Sequence, residues 1–394
     1  ASRLGRPAVE GTFAIMHLLV GIASVVAILL ILADSFEAML QPRRVTHRFR
    51  FTRLFYRNSW MVWRAIAGRF HHRGRREAFL SLFGPLSLLV LFMLWAIGMI
   101  FAFGMLHWAL DTRLAHFPDE WPSWTYVYLS GVTFFTLGYG DFTPLDRLGQ
   151  VLAVVEAGVG FGLIALVIGY LPTLFQAFSQ RERTIGLLDA RAGSPPTASE
   201  LLGRLAAAGR LTCVEGFLQE WEAWSADLLD NHLSFPMLSF YRSQHENQSW
   251  LAALTVILDT CSLLLVGVKQ ADRYHAQLTF AMARHAAVDL ALVLWVPPVE
   301  VPYDRLPPEK LAEIFAKLRA GGCSSCDTAL AQAKLAELRA MYEPVVYGLS
   351  QRLMFNLPTF APDRPAVDNW QTSPWSKRTP GIGNLPSVGE EHFA

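Results

Sequence analysis

Thr133 to Pro144 reads TFFTLGYGDFTP. The stretch lies between two long apolar runs, and its first eight residues carry no charge. Two glycines, Gly138 and Gly140, flank Tyr139, and Asp141 follows. Glycine is costly inside a helix and cheap where the backbone must change hand. The stretch is therefore irregular backbone in apolar surroundings, and its flanks decide what those surroundings are.

Three runs are long enough to cross a bilayer core, which takes roughly 20 apolar residues at 1.5 Å of helical rise each. Thr12 to Ala33 holds no Asp, Glu, Lys or Arg in 22 residues, and Ala78 to Leu110 holds none in 33. Leu148 to Gln180 carries only Glu156. The first run exceeds a signal-peptide core, and no convincing cleavage site follows it. Hydrophobic residues make up 52% of the 394 and charged ones 17%, an apolar balance for a soluble protein. The formal net charge of +1 hides a strongly uneven distribution.

Arg43 to Arg76 contains eleven arginines and no acid, whereas His107 to Ser123 holds Arg113 against Asp111, Asp119 and Glu120. The positive-inside rule then puts the arginine segment in the cytoplasm, the N-terminus outside and the C-terminal half inside. Arg3 and Arg6 oppose this but are outnumbered. The expected setting is a bacterial plasma membrane. Phe49, Phe51, Phe55, Tyr56, Trp60, Trp63 and Phe70 alternate with the arginines, which predicts an amphipathic helix on anionic inner-leaflet lipids. The alternatives are a solvated basic loop and a voltage sensor using Arg50, Arg53, Arg57 and Arg64. Only one hydrophobic span precedes those arginines, so the usual supporting helices for a sensor are missing.

Between the second and third spans, Trp121 to Phe135 (WPSWTYVYLSGVTFF) is apolar but too short to cross and return. A re-entrant helix followed by an extended climb fits that length. Non-helical backbone at membrane depth is tolerated only against protein or a water-filled path, so the carbonyls from Thr136 to Gly140 need a partner. A dehydrated cation is one. Successive carbonyls aimed at one axis require alternating backbone hands, which explains Gly138 and Gly140 around Tyr139. The Thr136 hydroxyl can add a ligand, and the C-terminal end of the short helix favours positive charge.

Thr136-Leu137-Gly138-Tyr139-Gly140-Asp141 resembles the selectivity filter of potassium channels. The resemblance covers about Phe79 to Arg183 and is similar to the bacterial type with one pore module per chain. It implies potassium ions bound at Thr136, Leu137, Gly138 and Tyr139. With one filter per chain, it also implies a homotetramer. Asp141, Tyr128 and Glu156 are the implied filter supports. Leu137 departs from the commoner Val or Ile, which matters little for a carbonyl ligand. Val132 stands where some members place a buried glutamate. Tyr128 and Leu129 stand where two aromatics often brace the filter.

The third run carries Gly158, Gly160, Gly162 and Gly169. Gly160 aligns with the family's hinge glycine, the alternative being close helix packing. Pro172 removes a backbone donor near the end of the run and marks a kink near a gate. Glu156, an acid at membrane depth, is expected behind the filter, holding pore helix or filter by hydrogen bonds. The alternative is a cavity-facing carboxylate.

After Arg183 the composition changes. Residues 184–197 read as a linker containing Gly-Ser-Pro-Pro, and residues 198–360 as an α-helical cytoplasmic domain, with residues 361–394 a disordered tail. Val214, Phe217, Leu218, Trp221, Trp224 and Leu228 follow helical spacing, as do Leu335, Leu338, Tyr342, Val345, Leu349 and Leu353. Trp250 to Val268 is apolar enough to raise a fourth span, but Asp259, Thr255, Thr260 and Ser262 favour a buried soluble helix. No dinucleotide fingerprint, nucleophile motif or metalloprotease pair occurs, so no enzyme, organic cofactor or nucleic-acid partner is expected. Cys323 and Cys326 form one C-x-x-C pair without the second pair or histidines of a zinc site. The fold class expected is an all-α membrane protein with three transmembrane helices, a re-entrant pore helix and a helical domain. The competing reading is a membrane-anchored sensor or adaptor whose pore module does not conduct.

Overall fold

The computed structural model describes residues 6–40, 51–116, 122–243, 248–268, 272–321 and 328–362. Cys323, Cys326 and the tail beyond residue 362 lie outside them. The described residues are helical apart from loops, with an isolated antiparallel bridge between Leu114 and Pro144. The chain is an all-α membrane protein with a helical C-terminal region, and it divides into two compact units.

The first unit, Ala1–Ile66 with Leu82–Phe175, holds α1 (Arg6–Met39), α2 (Phe51–Ala67), α4 (Phe83–Ala109), α5 (Pro122–Phe134) and the first part of α6 (Arg147–Ala192). Ile28 of α1, Trp95, Met99 and Phe103 of α4, Phe134 of α5 and Leu163 of α6 share its core. Pro122 starts α5 at the first helical position, where its missing N–H costs nothing. The Asp34 carboxylate ties three helices together. It accepts from the Thr52 hydroxyl at 2.6 Å, the Thr52 amide at 3.3 Å and Trp95 Nε1 at 3.0 Å. It thereby fixes the N-terminal turn of α2 to α1 and α4. On α2, Trp60 is buried edge-on against Phe83 with ring centres 4.9 Å apart, while Phe51, Leu54, Met61 and Val62 stay exposed beside Arg57 and Arg64. The basic segment read as one stretch over 43–77 is thus divided, because α3 (Arg73–Ser81) belongs to the second unit.

The second unit, Ala67–Ser81 with Gln176–Ala394, contains α3, the end of α6 and α7 (Ala198–Ala207), α8 (Glu215–Ser234), α9 (Trp250–Gly267), α10 (Arg273–Val293), α11 (Pro308–Ala320), α12 (Ala329–Ala340) and α13 (Glu343–Leu353). Thr197, Ser249, Asp272 and Thr328 cap α7, α9, α10 and α12, each accepting a backbone N–H from three residues on. Among the described residues, four helices are long and apolar enough to cross a membrane, α9 among them. Yet 94% of the α9 window is buried by protein, against 11% for α1 and 17% for α6. It is the core helix of this unit, packed against α7, α10, α12 and α13.

One boundary needs correction. The segment 184–197 is not a linker over most of its length, because α6 continues unbroken to Ala192 and only Gly193 to Thr197 separates it from α7. The Gly-Ser-Pro-Pro signal marks the turn, whereas Leu187, Leu188 and Ala192 still supply helical residues, of which Leu188 and Ala192 are fully buried. The unit is anchored by charge as well. Arg242 Nη2 donates to the Leu353 carbonyl at 2.6 Å and Nη1 to the Met354 carbonyl at 3.2 Å, with Glu77 of α3 at 3.6 Å from Nη1. Burial lowers the Arg242 pKa to about 10, despite the opposing charge of Glu77.

Candidate ion-conduction site

Helix α5 stops where the quoted stretch becomes irregular. The Thr136 amide donates to the Thr133 carbonyl at 3.0 Å and the Leu137 amide to the Val132 carbonyl at 2.8 Å, which closes the last helical turn. Beyond it the backbone alternates. Thr136, Gly138 and Gly140 have φ of 56°, 61° and 76°, while Leu137 and Tyr139 between them do not enter the left-handed region. A Cβ on Gly138 or Gly140 would meet nothing within 4 Å, so these glycines answer to backbone conformation and not to space. Thr136 holds the same conformation with a branched side chain, a strained state that persists only where surroundings enforce it. Alternating hands over five residues turn successive carbonyls the same way. Leu137 and Tyr139 are 52% and 67% exposed in the single chain.

The limb after this stretch is pinned at several points. Tyr128 of α5 sets its ring edge-on to Phe142 at 5.9 Å, and the Asp141 carboxylate accepts from the Phe142 amide at 3.1 Å. The Ala115 amide donates to the Thr143 carbonyl at 2.9 Å and the Leu145 amide to the Arg113 carbonyl at 2.8 Å. Asp146 then caps α6, accepting from the Gly149 amide at 2.8 Å and the Arg113 amide at 2.9 Å. Those backbone donors, Gly149 first, hold its carboxyl below the ordinary range.

Behind α5 sits Glu156, fully buried. Its Oε1 meets the Ser130 hydroxyl of α5, and its Oε2 faces His107 Nε2 of α4 at 3.6 Å. The acid absent at Val132 is thus supplied to α5 from α6. Leu129, where an aromatic brace was lacking, packs instead with Leu114 and Tyr126. Gly160 faces the end of α5: a Cβ there would lie 2.1 Å from the Phe134 carbonyl oxygen, which makes this glycine a packing requirement whatever else it does. Gly104 of α4 is the matching contact, since a Cβ would lie 2.8 Å from Val127 Cα. Two close backbone approaches therefore clamp α5 between α4 and α6.

The ion channel family matches residues 88–177, from α4 through α5 and the alternating stretch into α6. Residues 88–177 are an ion-channel domain. Within it lie the ten residues expected from the sequence to act as filter, filter support or gate, from Tyr128 to Pro172. The chain is also 25% identical over 200 residues to the Uncharacterized membrane protein YdjJ of Bacillus subtilis (strain 168). That match covers 50% of this chain and 58% of the relative, so the chain spans little more than half the relative's length. No solved structure matches.

The channel domain ends within α6, shortly after Pro172. The helix is continuous through that proline, whose position has no N–H to donate to Ile168. Sequence reasoning missed four polar residues here: Asp34, His107, Thr112 and Ser130. The first two were visible as polar residues at the edges of otherwise apolar runs, a signal that ordinarily marks function or pairing. Ser130 gave no such signal, since a lone serine on a helix satisfies itself easily.

In the second unit, the end of α6 carries Arg181, which is buried at 4% exposure. It donates to the Leu238 carbonyl at 2.9 Å, to the Tyr241 carbonyl at 3.1 Å and to Glu182 at 3.0 Å. His232 Nδ1 lies 2.7 Å from the Leu228 carbonyl and so must carry the proton, leaving Nε2 to accept from Arg181 at 3.4 Å. Burial and the Arg181 charge push the His232 pKa down to about 3. A cavity of about 230 Å³ between α6 and α8 is lined by Gln180, Arg181, Trp224, Asp227, Asn231 and His232.

Proposed function

We propose that four copies of this chain surround a common axis and conduct potassium ions passively through the stretch Thr136 to Gly140. The observation that carries the reading is the alternation of backbone hand at Thr136, Gly138 and Gly140. It lets the carbonyls from Thr136 to Tyr139 converge on one line and replace a cation's water shell. One chain supplies one wall of such a path, which is why a homotetramer is invoked. The exposed Leu137 and Tyr139 are consistent with that assembly, because apolar side chains of this size need cover. Asp141, Tyr128 and Glu156 support the stretch in this reading, and no organic cofactor, catalytic group or nucleic acid takes part.

The arginine segment faces the cytoplasm and the N-terminus lies outside, with the helical unit on the cytoplasmic side of a bacterial plasma membrane. The exposed apolar side chains of α2, set among Arg57 and Arg64, suit a surface of anionic lipid. Gating acts on α6 near Gly160 and Pro172. The bonds of Arg181 on the same helix are the means by which the helical unit would pull on it.

The test is flux from liposomes holding the purified chain. Potassium should pass and sodium should not, and Gly138→Ala should abolish the potassium flux while leaving the protein folded. Equal passage of both ions, or undiminished flux through Gly138→Ala, refutes the filter.

A further inference from the structure

A line of polar contacts crosses the interior of the channel domain. The Thr112 hydroxyl lies 3.1 Å from His107 Nδ1. His107 Nε2 faces Glu156 Oε2 at 3.6 Å. Glu156 Oε1 touches Ser130 Oγ, and Ser130 Oγ lies 2.8 Å from the Ile100 carbonyl oxygen. His107, Glu156 and Ser130 have no exposure at all, and Thr112 has 2%.

The hydrogens along this line can be counted. The Ile100 carbonyl owns none, so at 2.8 Å the Ser130 hydroxyl must supply one. A hydroxyl has one hydrogen, and that contact uses it. A bare carboxylate has none either, yet Glu156 Oε1 is in contact with the same Ser130 oxygen. Two oxygens without a shared proton repel at such range. A proton on Glu156 Oε1 satisfies both contacts at once. The neutral line closes at its other end too: with His107 protonated on Nε2, its Nδ1 accepts from Thr112 and its N–H points at Glu156 Oε2.

The ionised alternative fails on two counts. A carboxylate would take the Ser130 hydrogen and leave the Ile100 contact without one. It would also place two unscreened charges in the interior at 3.6 Å, well beyond the about 2.7–2.9 Å of a charge-assisted hydrogen bond. Burying charge without such a bond costs more than leaving a neutral donor and acceptor apart. The gap is the loosest link, and it leaves His107 Nε2 and Glu156 Oε2 with no other partner.

We infer that Glu156 is a carboxylic acid that donates to Ser130, and that neutral His107, Ser130 and Thr112 are positioning residues that hold it behind the pore helix. Their effect on conduction rests on the channel reading, because α5 leads directly into the conducting stretch. The protonation itself does not rest on it.

Infrared difference spectra of the reconstituted full chain separate the two. Wild type minus Glu156→Gln should show a lost carboxylic-acid C=O band and no lost carboxylate bands. Ser130→Ala keeps the acid and removes its acceptor, so it should shift that same band. In potassium flux, Glu156→Gln can still donate to Ser130 and accept from His107, and should keep activity within about twofold; Glu156→Ala should lose about tenfold or more. Lost carboxylate bands, or a glutamine variant as poor as alanine, overturns the inference. If Glu156→Gln does not fold, the wild-type minus Ser130→Ala spectrum decides alone: an unshifted acid band overturns it. A wild type without flux refutes the channel reading and leaves the spectra to settle the proton.

Discussion

Glu156 and Asp259 invite comparison. Each is the single acid of a long apolar helical run, and each is fully buried. Their neighbours differ in kind. Asp259 accepts from Arg305 at 3.2 and 2.7 Å through both oxygens and from the Tyr342 hydroxyl at 2.6 Å. Arg305 also donates to Glu343 at 3.0 Å and to the Pro358 carbonyl at 2.7 Å, beside the Phe360 ring. Glu156 has only a hydroxyl and an imidazole. Burial alone would lower the Arg305 pKa, but the Asp259 carboxylate outweighs it and raises the guanidinium's pKa. One acid is thus held by full charge pairing and the other by a line of hydrogen bonds. The first can be built where several helices and a loop surround the site. The second suits a thin layer of helices beside lipid, where no cation can be spared.

The contrast is breakable. Asp259→Ala should cost the helical unit about 3–5 kcal/mol, because it leaves Arg305 buried with one carboxylate. Replacing the pair by Asp259→Leu with Arg305→Met should recover most of that, and a double variant as unstable as the single one would refute the charge account. Thermal unfolding of the full chain in detergent reads both.

Acid is the next largest effect. His232 is neutral when folded, with its pKa at about 3 against an ordinary 6.5, so the unfolded chain binds the extra proton. Stability from this group is therefore present above pH 6.5 and is lost as pH falls toward 3, by about 1.4 kcal/mol per unit. His232→Phe should flatten the slope, and an unchanged pH profile would show that the buried imidazole is not its source.

Gly160→Ala should destabilise the channel domain by about 1–3 kcal/mol through overpacking against Phe134, with Gly162→Ala, in open space, as the mild control. Equal effects would point to bending and not to contact. Smallest of all, Glu156→Gln should cost less than about 1 kcal/mol of stability, since the amide keeps the hydrogen-bonding pattern. A loss as large as that of Asp259→Ala would erase the difference between the two acids.

The outlines of the site were readable because they rest on local rules. Spans follow from the free energy of moving a continuous run into hydrocarbon, and Gly138 and Gly140 announce a backbone that changes hand. The helix boundary after Arg183 was harder to read, because Gly-Ser-Pro-Pro drew the eye while the residues before it carry no breaker. Gly160 was ambiguous for a related reason: a hinge and a packing contact demand the same missing Cβ, and only the Phe134 carbonyl 2.1 Å from its place tells which demand is present.

By itself, then, the order of residues determined where the chain is apolar, where it turns and where its backbone must alternate. Tertiary structure decided what the apolar helices face. Hydropathy measures the escape of side chains from water and cannot tell a lipid tail from a neighbouring leucine, so α9 and α6 look alike until 94% of one and 17% of the other is found covered by protein. It decided the partners of Glu156 in the same way, because a proton's place depends on atoms brought together from α4, α5 and α6, far apart along the chain.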